Sequence, residues 1–417
     1  MVADERADLR VLQVFVVRLG AALNDAGEPV HTVQERLRRV ARVNGASTAM
    51  ISAFPTYMMV AMGRGEPATV ELTGAFGGPV RLDQISGLDR LARDAEIGKI
   101  GPAEGLVRLD EIDRMAPRYR FVHQILGYSI LTLGLCLILH PAPADIAAAA
   151  IFGALVGLLQ SIGRNNSPLT VLMPVLAAFT VSALSALAAK HDLTDPGLRA
   201  MVASLAVFLP GAALTTSVLE LAAGQMVSGS ARLVSGAMQL ALLAFGILAG
   251  IQAVGVPSAA VLSDTDKVLG PWAPWLGVFV FAIGVTLANS APLRAFPGLI
   301  VVLYAAWCGQ VVGNLFFGGY VSAFVGAAVM TPVAYWVSQM PHAMPQYASF
   351  LPGYWLLVPG ALGLIGLAEL AGHPSTAGPH DLLATVVSLL AVAIGVLTGT
   401  LLLDSTVRAR RRFAPHP

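Results

Sequence analysis

Hydrophobic and polar positions divide the chain near residue 120. Before it, apolar side chains recur at short, changing periods; after it, they fill long runs. Leu9, Leu12, Phe15, Val16, Leu19 and Leu23 recur at helical spacing over 8–26, a 3.6-residue period. Asn24-Asp25-Ala26-Gly27 ends that helix, with Gly27 as its C-terminal cap. "VHTVQERLRRVARVNG" (30–45) predicts a second helix that stops at Asn44-Gly45. "TAMISAFPTYMMVAM" and "PATVELTGA" predict two strands joined by a turn at Gly63-Arg64-Gly65. "LDQISGLDRLARDAEIGK" and "GPAEGLVRLDEIDRM" predict two more helices, with Pro102 in the first turn of the second. Residues 1–120 therefore read as a small α+β domain without a metal or nucleophile cluster. His31 stands alone as a helix-start or surface residue, and Asp110, Glu111 and Asp113 read as a solvated helix face.

From 121 onward, ten apolar runs suit a membrane span, which needs about 20 residues. They lie at 121–140, 144–163, 168–189, 199–222, 232–256, 272–290, 295–314, 319–340, 350–370 and 381–403. The fold class predicted is a mostly α-helical polytopic membrane protein carrying a small α+β domain. "VLQVFVVRLGAAL" is shorter than a span and holds Arg18, so no signal peptide is expected. Arg114, Arg118, Arg120, Arg164, Arg232, Arg294 and the tail Arg408, Arg410, Arg411 and Arg412 mark one set of span ends. Lys190, Arg199 and Lys267 mark the other. The more basic set is cytoplasmic, which puts both termini inside. Trp272 and Trp275 read as an interfacial belt.

Composition agrees: 56% of residues are hydrophobic and 12% charged, against about 25% charged in soluble domains. A net charge of +1 argues against a nucleic-acid partner. Cys136 and Cys308 both lie in apolar runs and read as buried, inert thiols. No G-x-x-x-x-G-K-[ST] motif is present, which argues against ATP-driven transport by this chain alone.

The membrane part echoes itself. "LPGAALTTSVLEL" (209–221) and "VPGALGLIGLAEL" (358–370) share Pro-Gly-Ala and Glu-Leu at an offset of 149, and Gln160-x-x-Gly163 recurs as Gln310-x-x-Gly313 at 150. The domains predicted are 1–120, a first membrane repeat over 121–256, a second over 271–403 and a basic tail over 404–417. A five-span unit makes its second copy enter from the opposite face. Inverted repeats of this kind characterise secondary transporters with midplane substrate sites.

Proline removes a helix donor and clashes with the preceding turn, so Pro210-Gly211 and Pro359-Gly360 predict breaks inside spans four and nine. Such a break either packs as a kink or forms a site. In the second case the amides near Ala212 attract a carboxylate, and Thr215 and Thr216 bind a small polar substrate. Glu220 and Glu369 lie ten residues past each proline. They are either interfacial or a pair of proton-coupled gates, since a buried carboxylate binds its proton more tightly. Gln160, Asn165, Gln310 and Asn314 are secondary polar candidates near span ends, where solvation also accounts for them.

"FLPGAALTTSVLELAAGQMVSGSARL" (208–233) resembles the Pro-Gly…acid…Ser-Gly-x-x-Arg region of the threonine/serine exporter family. "LGAALNDAGEPVHTVQERLRRVARVNG" (19–45) resembles its Gly-x-Pro segment, and "LARDAEIGKIGPAEGLVRLDEI" (91–112) its hairpin before the first span. The resemblance covers nearly the whole chain. It implies export of small neutral amino acids driven by the proton gradient with no cofactor, in a bacterial inner membrane. It assigns roles to Pro210, Gly211, Glu220, Gly229 and Arg232 and, through the repeat, to Pro359 and Gly360; we group Arg232 with the coupling residues. The family often has Asp at position 220 and Glu at position 34, where this chain has Glu220 and Gln34. Partners expected are the substrate and the bilayer, and assembly as a homo-oligomer is compatible with the sequence. A dicarboxylate exporter is the alternative within the class, with Arg164 and Arg232 as its cations. A membrane sensor or hydrolase acting through 1–120 is the alternative outside it.

Overall fold

The computed structural model describes residues 2–63, 69–74, 80–163, 167–191, 198–257, 261, 269–341, 343–357 and 377–413. The chain forms two compact units. One comprises residues 1–118 with 216–232, the other 119–215 with 233–417.

In the first unit, α1 (Val2–Asp25) and α2 (Val30–Val43) are followed by β1 (Met50–Ala53), β2 (Tyr57–Met62) and β3 (Thr69–Gly74), then α3 (Leu82–Glu96) and α4 (Pro102–Asp113). The strands form an antiparallel sheet in the order β1-β2-β3. Alternation along β2 turns Met58, Val60 and Met62 into a core with Phe15, Leu19, Leu23, Leu37 and Leu109. The first of the two strands expected from sequence is two strands here, making three among the described residues. Pro55 cannot donate to a ladder. The chain reverses there, with the Phe54 N–H donating to the Tyr57 carbonyl at 3.0 Å and the two rings stacked at 4.4 Å. Asp110 is more than a solvated residue, since it pairs with Arg18 at 2.6 Å.

The second unit is helical: α5 (Phe121–Ile138), α6 (Pro143–Gly163), α7 (Ser167–Lys190), α8 (Leu198–Leu205), then α9 (Gly211–Ala222) and α10 (Met226–Val254), both shared with the first unit. It continues with α11 (Ala273–Ala288), α12 (Phe296–Phe317), α13 (Gly319–Ser338), α14 (Gln346–Leu357) and α15 (Ala377–Phe413). Among the described residues, seven helices are long and apolar enough to cross a membrane. The pair Leu198–Phe208 and Gly211–Ala222 is an eighth candidate bent by 54°, and Ala273–Ala288 is apolar but shorter. Most of the ninth expected run lies outside the described residues. The fifth begins at Met226 rather than 232, so Arg232 sits within α10 rather than in a loop.

Helix contacts recur at a fixed spacing. In α5, a side chain at Gly134 would collide with the Phe281 backbone; in α11, one at Gly284 would collide with the Leu131 backbone. Gly127 lies against Leu287 and Ala288, and Gly277 against Leu137 and Ile138. Both contacts map onto themselves when 150 residues are added to one partner and subtracted from the other. Further on, Gly246 and Gly250 of α10 face Val175, Phe179 and Ser182 of α7, and Gly395 and Gly399 of α15 face Phe324, Ala328 and Thr331 of α13. Every partner in the second set stands 149 residues after its counterpart. The two non-glycine residues with positive φ among those described, His140 and Ser290, follow α5 and α11.

Candidate functional site

The site is built on the break between α8 and α9. A 3-10 turn (Ala206–Phe208) ends at Leu209, which is extended (φ −67°, ψ 128°), as a residue before proline prefers. Pro210 has no N–H, so the ladder cannot continue through it. The extended Leu209 takes the Phe208 carbonyl out of the helix, and that carbonyl accepts from Gln239 Nε2 of α10 at 2.6 Å. The Leu214 N–H donates to the Pro210 carbonyl at 2.8 Å, which restarts the helix as α9. Its first-turn amides, from Gly211 to Ala213, have no intrahelical acceptor. One turn on, Thr215 is fully buried and its Oγ1 has no hydrogen-bond partner. Thr216 and Ser217 are also buried.

α9 ends at Ala222 and is closed by Gly224, whose φ of 79° a side chain would resist. Gly224 N–H donates to Leu221 and Gln225 N–H to Glu220, the paired bonds of a Schellman turn. α10 then folds back along α9. Gly229 permits the approach, because a Cβ there would lie 2.8 Å from the Ser217 carbonyl. Arg232, one turn later on the same face, reaches Glu220 with Nε at 3.1 and 3.2 Å from the two carboxylate oxygens. The Ser-Gly-x-x-Arg spacing thus has a mechanical basis.

Glu220 is fully buried and has a second partner: the Val30 N–H donates to Oε1 at 3.2 Å. Val30 opens α2, whose N-cap is Pro29, with no side-chain cap of its own. A first-turn amide of α2 is therefore satisfied by a carboxylate 190 residues away. Arg232 Nη2 donates to Asn24 Oδ1 at 2.9 Å, while Asn24 Nδ2 donates to the Phe54 and Pro55 carbonyls at 3.0 Å each. Ser228 Oγ donates to the Ala53 carbonyl at 3.4 Å. Glu220, Arg232, Asn24 and Val30 form one buried polar network inside the first unit.

A second buried cluster flanks the same loop. Arg36 Nη1 lies 3.2 Å from Glu28 and 2.9 Å from Asp89, and its Nε 2.5 Å from Glu96. Burial works against the Arg36 charge, but the three carboxylates overcome it and hold the guanidinium above its usual range. Burial pushes the Glu28 carboxyl up, Arg36 pulls it down, and Asp89 and Glu96 raise it again, leaving it at about 7.

Pro210, Gly211, Ala212, Thr215 and Thr216 thus occupy one segment, and Glu220 pairs with Arg232 as its continuation. Gln160 and Gln310 are partly buried in α6 and α12, and the Gln310 Oε1 is sealed without a partner. Asn314 is exposed. Asn165, Pro359, Gly360 and Glu369 lie outside the described residues. Cys136 is buried as expected, but Cys308 is exposed, because it falls on the outward face of α12. Sequence reasoning missed Asn24, Val30 and the Arg36 cluster. One signal was present: Pro29 leaves α2 without a capping side chain.

These helices define a polytopic helical membrane protein whose broken span carries a buried acid–arginine pair. Residues 14–254 match the family model described as "Putative threonine/serine exporter", and the chain belongs to that family. It is similar to the pheromone-regulated membrane protein 10 of Yarrowia lipolytica, 25% identical over 91% of this chain and 32% of that protein. The protein of the same name from Debaryomyces hansenii is 26% identical over 85% and 36%. An uncharacterized Schizosaccharomyces pombe protein is 24% identical over 86% and 49%. The chain thus spans about a third to a half of these relatives' length. No solved structure matches.

Proposed function

We propose that the chain is a secondary active exporter of small neutral amino acids, threonine or serine, driven by the proton gradient. The observation that carries this reading is the broken span: a 54° bend at Leu209-Pro210 with the buried, unpartnered Thr215 hydroxyl one turn beyond it. In a membrane an unsatisfied polar group costs free energy unless it serves a ligand or water. A zwitterionic substrate offers its carboxylate to the α9 amides and its own hydroxyl to Thr215. The recurring contacts at 149 and 150 residues support two inverted repeats of five spans, ten in all, rocking about the α5–α11 pair. Both termini then face the cytoplasm of a cell membrane. Arg232 is already committed to Glu220 and Asn24, which counts against its serving as the extra cation of a dicarboxylate site. The chain in proteoliposomes, preloaded with labelled threonine, serine or succinate, tests this. An imposed pH gradient should accelerate threonine or serine efflux and leave succinate unmoved. Gradient-driven succinate efflux alone, or no flux from a folded chain, would overturn the reading.

A further inference from the structure

The transport reading leaves one buried group of charges unused: Glu28, Arg36, Asp89 and Glu96. Its position is informative. Asn24 binds Arg232 and Val30 binds Glu220, while Glu28 between them faces Arg36. A single seven-residue loop therefore joins the cluster to the α9–α10 hairpin.

The three carboxylates are not held alike. Asp89 has a second cation in Arg93 at 2.7 Å, and Glu96 in Arg39 at 2.9 Å. Glu28, 3% exposed, has only Arg36 among the described residues, through longer contacts of 3.2 and 3.3 Å. The charged groups around it are Arg36 and Arg39 from α2 and Asp89, Arg93 and Glu96 from α3. Asp25 and His31 flank the loop, and Glu220 and Arg232 lie on the hairpin.

We propose that this cluster is a proton-responsive latch. With Glu28 protonated, the loop stays seated on Arg36 and keeps Val30 and Asn24 on the Glu220–Arg232 hairpin. When Glu28 loses its proton, a third carboxylate charge is confined beside Asp89 and Glu96 with Arg36 as its own cation, and the loop and hairpin loosen together. Its effect on transport rests on the exporter reading. A cytoplasm acidified by entering protons would then close the path that admits them.

The test uses the full chain with Cys136→Ala and Cys308→Ser and one introduced thiol. Ser228→Cys replaces a side chain 1% exposed that bonds Ala53, next to the Phe54 and Pro55 carbonyls held by Asn24. Ala223→Cys, at an exposed position in the link between α9 and α10, serves as the reference. The ratio of their maleimide labelling rates is read from pH 6 to pH 8. For a carboxyl titrating at about 7, the protonated fraction falls from about nine-tenths to about one-tenth over that range. The ratio should therefore rise several-fold in the parent chain. In Glu28→Gln it should stay at its pH 6 value, and in Asp89→Asn, which removes one repelling carboxylate, the rise should move to lower pH. A flat ratio in the parent, or an equal rise in Glu28→Gln, would overturn the latch. If Glu28→Gln does not elute as a folded species, the Asp89→Asn shift decides alone. Labelling does not read transport, so its failure would leave the exporter reading standing.

Discussion

The Glu220 carboxylate accepts the backbone N–H of Val30 at 3.2 Å while Arg232 holds both of its oxygens. A residue that sequence alone reads as either interfacial or a proton-coupled gate is here the missing cap of a helix in the α+β unit. Taking one member from a buried ion pair costs about 3–5 kcal/mol. Glu220→Ala and Arg232→Ala should each lower the chain's stability by about that much, and the double variant by little more than either alone. Urea unfolding of the four chains checks this; additive losses would mean the pair is not a unit.

Thr215 makes the opposite prediction. Its hydroxyl has no partner among the described residues, so Thr215→Val should leave the melting temperature unchanged or slightly raised. Threonine or serine efflux should fall by about tenfold or more, as when a bound polar group loses a hydrogen bond worth about 1.5 kcal/mol. Pro210→Ala should straighten the span and abolish efflux. Unaltered transport in both variants would remove the broken helix from the mechanism.

The self-mapping contact of α5 and α11 predicts paired sensitivity. Gly134→Val and Gly284→Val would press on equivalent backbone positions and should each destabilise by about 2–3 kcal/mol. Gly74→Val, which meets nothing within 4 Å, should not. Thermal melts of the three in one detergent make the comparison.

If the repeats are inverted, equivalent positions open to opposite sides. Pro143 and Leu293 are both exposed, 150 residues apart, and stand just after α5 and α11. Cysteines placed there in a cysteine-free chain should react with an impermeant thiol reagent from opposite faces of a sealed vesicle, Pro143→Cys from outside and Leu293→Cys from inside. Labelling of both from one face would exclude the inversion.

The pH dependence follows from Glu28. Its folded value of about 7 stands above the ordinary 4.5, so the folded state binds the extra proton between those values. Stability is full below about 4.5 and is lost as pH climbs through 7, with a slope of up to about 1.4 kcal/mol per pH unit. Urea midpoints at pH 5 and pH 7.5 should show the loss, and Glu28→Gln should flatten it.

The Pro210-Gly211 break and the apolar runs were legible because proline chemistry and hydrophobic length act locally. The strand pattern misled at Phe54-Pro55, where one apolar stretch hides a reversal. The glycine pairs at positions 127 and 277, 134 and 284, 246 and 395, and 250 and 399 were present in the sequence but lost among 42 glycines. Only the helix contacts show which of them are needed for close packing. The capping role of Glu220 was not legible, since no periodicity connects positions 30 and 220.

Pro29 can neither donate a proton nor cap the helix it precedes, so α2 borrows its cap from a segment made much later. On the ribosome, Val30 emerges 190 residues before the carboxylate that caps it. Until the α9–α10 hairpin arrives, the Val30 amide and the Asn24 side chain wait on water. The α+β unit is thus finished only when the α9–α10 hairpin is in place, which makes that hairpin part of its fold.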